Sequence, residues 1–221
     1  MKNIKGLLKL DTRLVTPYWK WLVLFFGLAL LFTLIGDRSG PMFMISFTIF
    51  SATLTAFPFE NTEKSNLNVL YATLPTNRKS MLTARYIFFI GFLVLSLAFA
   101  FIVGQIIDVI FDNNIGFEDY ALFICLAFGI FVFNVSFQTP FFYGKGYIKG
   151  KIFLWIPIIV IMIIMNIPAL LDVFGVETNF NIFRIMIENR LTTCIIAVVV
   201  GIASFVISFF TSRVIYLKKD F

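Results

Sequence analysis

The chain has 221 residues, of which 60% are hydrophobic and only 14% charged; it has a mean hydropathy of +0.95, 30 phenylalanines and a formal net charge of +6. A water-soluble domain needs roughly a quarter of its residues charged to cover its surface, so most of this surface must face lipid. No histidine is present, which removes most histidine-based metal and proton-transfer chemistry.

The first 18 residues place Ile4, Leu7, Leu8, Leu14 and Val15 near one helical face and Lys2, Lys5, Lys9 and Arg13 off it. This predicts an N-terminal amphipathic interfacial helix lying on the inner leaflet. Pro17 breaks the pattern, and Trp19 and Trp21 sit at headgroup depth. Six apolar runs follow, at Trp19–Ile35, Pro41–Phe59, Tyr86–Phe111, Tyr120–Phe137, Ile152–Leu171 and Leu191–Phe210. Each is long enough to cross ~30 Å of hydrocarbon as a helix, and none alternates in polarity as barrel strands do. Ile35-Gly36-Asp37 is no small-x-small cleavage site, so the first run reads as a membrane helix and not a signal peptide. The expected fold is all-α: a single polytopic domain over residues 1–221 with six transmembrane helices.

Charge sets the orientation. The segments up to Lys20, over 60–85, over 139–151 and after the last run hold fifteen of the eighteen Lys and Arg, while the opposite side, including the outer end of the third run, holds eight of the twelve acids. Lys and Arg accumulate on the cytoplasmic side, which predicts cytoplasmic N- and C-termini. The basic balance reports topology, with no nucleic-acid partner implied.

Within the runs, Thr48, Ser51, Ala52 and Thr55 form a small-residue stripe, read as a packing seam in preference to a polar pathway. Ala197, Gly201, Ser204, Ser208 and Ser212 form another. Gln105, Asp108, Asn134, Ser136 and Gln138 are intramembrane polar groups and hence candidates for function. All lie within about two turns of an interface, and the lack of a charge at the bilayer centre argues against ion-coupled transport. Pro157, Asn166 and Pro168 predict a kink or break in the fifth run. Residues 172–190, with Phe180, Phe183, Met186 and Ile187, suggest an extracellular amphipathic segment. Cys125 and Cys194 lie in apolar runs without CxxC spacing and read as two buried thiols.

"YGKGYIKGKI" tempts as a phosphate loop, but Lys145 stands where the first glycine belongs and Ile152 replaces the Ser/Thr. No nucleophile–base pair or carboxylate dyad occurs elsewhere, so no catalytic residue, metal site or cofactor is assigned.

The cytoplasmic insert over 60–85 is the informative loop. After Ser65, Leu67, Leu70, Tyr71 and Leu74 fall on one helical face, ended by Pro75. Thr76 or Asn77 can cap a second helix through Arg78, Lys79 and Arg85. A helix of about ten residues is marginal alone in water, so it must lie on something, either the membrane surface or a partner protein.

Taken together these loops resemble a family, the ABC-2-type permeases of the small six-span bacterial class. The shared features are the N-terminal amphipathic helix, then Glu60, Glu63-Lys64, Leu74-Pro75, Arg78-Lys79 and Arg85-Tyr86 in the first loop. The second loop is matched by Pro140, Tyr143, Gly146 and Lys149. In texture the chain is similar to permease subunits of phenol-soluble modulin exporters, which expel short amphipathic peptide toxins. The segment at 172–190 is shorter than the paired re-entrant helices of larger ABC-2 exporters. The resemblance implies a membrane subunit that pairs with a second permease subunit, identical or related, and binds two cytoplasmic ABC ATPase subunits. It makes 60–85 the coupling element and lets an amphipathic peptide enter from the cytoplasm or the surrounding membrane lipids. Two rivals stay open: an ATP-independent secondary transporter or channel, and a non-transporting scaffold or immunity subunit.

Overall fold

A computed structural model describes residues 2–36, 38–65, 78–173, 186 and 188–218, and every regular element among them is a helix. Helix α1 (Lys2–Val15) leads through one 3-10 turn (Thr16–Tyr18) into α2 (Trp19–Ile35). Then come α3 (Gly40–Leu54), α4 (Phe57–Lys64), α5 (Arg78–Ile110), α6 (Phe117–Lys145), α7 (Tyr147–Gly150), α8 (Ile152–Val173) and α9 (Arg190–Leu217). Among the described residues, five helical stretches are long and apolar enough to cross a membrane: Gly6–Ile35, Gly40–Lys64, Lys79–Ile110, Phe117–Lys145 and Arg190–Leu217. The chain is therefore a polytopic all-α membrane protein. The 22-residue α8 covers the predicted fifth run.

The reason for this economy of element types is solvation. Hydrocarbon offers backbone N–H and C=O groups no partner, and a helix satisfies all of them within itself. Apolar side chains then point outward as readily as inward; Leu95 and Ile195 are 70% and 62% exposed on the outer faces of α5 and α9.

Three helices run in the same direction through the bundle. The first residue of α3, Gly40, lies against Gly104, Asp108 and Tyr120, while Thr55 just past its end meets Gln138. Thus α3 and α6 are parallel and α5 is antiparallel to both. A Cβ built on Gly129 of α6 would stand 3.3 Å from the Cβ of Ala197 of α9, and Tyr143 and Tyr216 meet further along with ring centroids 5.0 Å apart. So α6 and α9 are parallel too, held closely by the missing side chain at Gly129.

Two clusters of buried side chains fill the bundle. One, near the end that carries α1 and α4, contains Phe59, Leu82, Phe89, Phe131, Val135 and Phe142. The other, near the opposite end, contains Ala29, Phe43, Met44, Phe47, Ala100 and Tyr120. These two ends are called the loop end and the far end below.

Several expectations shift. The second loop was expected over 139–151, but α6 continues through Pro140 to Lys145, so Gly146 alone separates it from α7. A proline inside a membrane helix loses one backbone bond yet keeps a helical φ, and neighbouring helices shield the gap. Of the kink or break expected around Pro157, Asn166 and Pro168, the break does not occur, since α8 runs continuously through all three. The stripe Leu67, Leu70, Tyr71 and Leu74, with Pro75 and the cap at Thr76 or Asn77, lies outside the described residues, as does most of 172–190.

Candidate functional site

The site grows from the end of α3. There the backbone ladder tightens, with Thr55 and Ala56 donating to Ala52 and Thr53, three residues back. Pro58 has no N–H to continue that ladder, so the helix restarts as α4 with proline in its first turn. The 66–77 segment joins α4 to α5, so α4 is one of the two helices directly tied to it.

α4 is bonded to three neighbours. The Glu63 carboxylate accepts the backbone N–H of Tyr147 and that of Ile148, the latter at 3.0 Å. It thereby caps the start of α7 from another helix, taking two of the donors that a helix start leaves unpaired. Gly146 makes room for this. Its φ of +80° with ψ 170° belongs to a region essentially reserved for glycine, and a Cβ there would stand 2.9 Å from Glu63 Oε1. Glu60, one turn earlier, pairs with Lys64 and lies close to the Tyr147 hydroxyl. Burial, reinforced by the adjacent Glu60 charge, pushes the Tyr147 phenol above its usual value, so it is a donor throughout the physiological range.

Asn61 supplies the second connection, donating to the Leu14 carbonyl at 2.7 Å and accepting from the Tyr18 hydroxyl at 2.9 Å. Tyr18 stacks on Phe57 at 4.1 Å. The third connection is Phe59, whose ring lies under the Arg85 guanidinium at 4.4 Å. Arg85 in turn forks onto Asp11 of α1, Nη2 to Oδ1 at 2.8 Å and Nε to Oδ2 at 3.4 Å. Both partners are over nine-tenths buried. Such a pair gains little net stability over an apolar contact, yet removing one partner strands the other. A cavity of about 160 Å³ beside the pair is lined by Leu10, Asp11, Glu63, Arg85, Tyr143 and Tyr147, among others.

At the far end Asp108, 6% exposed, accepts from the Gly40 backbone N–H at 2.7 Å, from Asn113 Nδ2 at 3.1 Å and from the Tyr120 hydroxyl. Glu118 and Asp119 at the start of α6 bind Arg190 at the start of α9, at 2.7 and 2.9 Å.

The sequence singled out fourteen loop residues. Glu60, Glu63, Lys64, Tyr143 and Gly146 gather at the loop end; Pro140 is inside α6, and Lys79 and Lys149 are exposed on the same end. Arg78 begins α5. Leu67, Leu70, Tyr71, Leu74 and Pro75 fall outside the described residues. Asp11 and Asn61 were missed. The signal for Asp11 was present: an acid stands three residues from Leu8 and four from Leu7, in the middle of the apolar face. Cys125 and Cys194 are free and half-buried, and they are neighbours across the α6–α9 seam.

No described group of three or more Cys, Asp or Glu side chains could hold a metal ion. The polar groups join helix ends and do not converge on a reacting centre, so what the arrangement can do is carry displacement from one segment to another. That defines a class: a multi-pass helical membrane protein whose loop end is mechanically tied together. The profile of the ABC-2 family transporter proteins matches residues 6–217, and the chain belongs to that family. It is the membrane component of an ABC-type transporter, and such permeases generally work with ATPase subunits. Neither a curated protein nor a solved structure matches the chain.

Proposed function

We propose that this chain is the permease subunit of an ATP-driven exporter that moves an amphipathic or hydrophobic substrate, such as short toxin or antimicrobial peptides, out of a bacterial cell. It crosses the plasma membrane six times with both termini in the cytoplasm, and works as a dimer with an identical or related permease. The observation that carries this reading is the placement of α4. It adjoins the 66–77 segment and holds α7 through Glu63, α1 through Asn61 and α5 through the stack of Arg85 on Phe59.

An ATPase seated on Leu67, Leu70, Tyr71 and Leu74 would push on α4. Glu63 would pass the displacement to α7, and so to α6 before it and α8 after it. Burying four apolar side chains on a partner contributes about 1.5–3 kcal/mol each before ordering costs, enough to hold a short helix that cannot stand alone. The chain itself supplies no phosphate loop, so hydrolysis belongs to the partner.

The test is the double substitution Leu70→Asp/Tyr71→Asp, read by ATPase pull-down, substrate-stimulated hydrolysis and export. Detachment or uncoupling with normal membrane insertion is expected. Wild-type values in all three assays would remove 66–77 from the coupling role. Robust transport by the lone chain under a proton or sodium gradient would favour a secondary transporter instead.

A further inference from the structure

The α3–α6 seam holds polar groups that this conformation leaves without partners. Asn134 is 0% exposed, and neither its amide nitrogen nor its carbonyl oxygen has a hydrogen bond. Gln138, one turn further along α6 and on the same face, donates Nε2 to Thr55 Oγ1 at 3.1 Å and to the Ala52 carbonyl at 3.4 Å, while its Oε1 is unpartnered. Gln138 therefore aims into the small-residue stripe of α3. Because the two helices are parallel and Gln138 is level with Thr55, Asn134 is level with Ser51, four residues earlier on each. Ser51 and Thr48 turn their hydroxyls back onto carbonyls of their own helix, those of Thr48 and Met44, and so do not serve Asn134.

Buried polar groups in folded proteins are nearly always paired, and more so in a membrane, where no solvent stands by. A packing seam needs only the small residues of α3; it does not need two amides on the facing helix. The unmet amide groups are one NH2 and two carbonyl oxygens, with the Ser136 hydroxyl also unpartnered two residues from Asn134; all are uncharged, and no described Lys, Arg, Asp or Glu lies on α6 between Asp119 and Lys145. Their complement is a neutral group that both donates and accepts, such as a peptide amide.

We infer that the α3–α6 seam parts during the transport cycle and presents Asn134 and Gln138 to backbone amides of the transported molecule. The inference rests on the export reading above and adds the substrate-contacting residues to it. Since α3 runs directly into α4, a displacement of α4 acts along this seam, and the stripe lets the helices separate without unlocking large side chains.

Two experiments decide it. In cells carrying the full exporter, Ser51→Cys in a Cys125→Ser/Cys194→Ser background is exposed to a small charged methanethiosulfonate, with ATP present or depleted. Reaction at least about tenfold faster with ATP is expected; equal rates, whether fast or slow, overturn the parting of the seam. The second experiment is Asn134→Leu, close in size but apolar. It should raise the thermal midpoint of the purified protein, since unpaired groups are removed, while reducing export of a short uncharged-backbone peptide at least about tenfold. Export at the wild-type level would overturn substrate contact. Loss of ATPase binding in the parent chain would instead defeat the exporter reading itself, and pull-down separates that failure from failure of the seam.

Discussion

Two ends of the bundle use the same device to different effect. At the far end Asp108 of α5 accepts the N–H that opens α3; at the loop end Glu63 of α4 accepts the two N–H groups that open α7. Each acid sits beside a glycine that it could not share with a larger residue. Gly40 is pressed against the Gly104 backbone, and Gly146 needs its positive φ. The difference lies in what is joined. Asp108 links long helices that pack along their length, and it is sealed by Tyr120 and Asn113. Glu63 links two short helices at the rim, one of them adjoining the segment proposed to receive the ATPase. The same chemistry is a staple where the parts are fixed by packing, and a transmission where they are not.

The comparison can be broken in graded steps. The largest effect is expected from Arg85→Met, which strands Asp11 in a buried site and should cost about 3–5 kcal/mol. Protease susceptibility of α1 and a lowered thermal midpoint read it out, and adding Asp11→Asn should restore most of the loss. Next, Gly146→Ala forces an L-residue into a glycine-only conformation, at about 1–3 kcal/mol. Hydrogen exchange should rise at Tyr147 and Ile148 and stay unchanged around Gly40. Asp108→Asn weakens a buried charge-assisted set and should cost about 1–3 kcal/mol, visible in melting but not in the ratio of export to ATP hydrolysed. The smallest stability change belongs to Glu63→Gln. Both backbone donors converge on one oxygen, which the glutamine carbonyl can replace, so melting should drop by less than about 1 kcal/mol. Glu63→Ala should leave the protein folded yet lower that ratio; an unchanged ratio would make Glu63 a staple like Asp108.

How much of this was legible in the sequence differs by kind of residue. The helix α2 lies where the apolar run predicts, Trp19 to Ile35, because Pro17 and Gly36 bracket a stretch that lipid would demand be helical. The α6 end was misplaced by eight residues because the hydropathy falls at Phe137 while the backbone still gains by staying hydrogen-bonded. Glu63 stood out only through its family setting, since its partners are backbone N–H groups, which carry no sequence signature. Arg85 stood out only as the basic entry to the third run; its pairing with Asp11 spans 74 positions and could be guessed only from the acid on an apolar face. Asn134 and Gln138 stand out in the sequence as intramembrane polar groups, but the lack of partners at Asn134 and at Gln138 Oε1 is a property of three-dimensional packing. The adjacency of Cys125 and Cys194 depends on α6 and α9 being parallel, which no local pattern encodes.

That parallel arrangement has a consequence for how the chain is made. Helices enter the bilayer in sequence order, and consecutive ones can pair as antiparallel hairpins as they arrive. A parallel neighbour cannot; α9 reaches α6 only after the intervening α8 has been made. Until then the Gly129 notch and the buried hydroxyl of Tyr86, which finally bonds Ser208 and Ser212 of α9, face lipid or a membrane chaperone. Among the described helices α9 is thus the one that closes this bundle, and a ribosome stalled before Arg190 should hold a chain whose earlier helices are inserted but unassembled, the form on which quality-control proteases act.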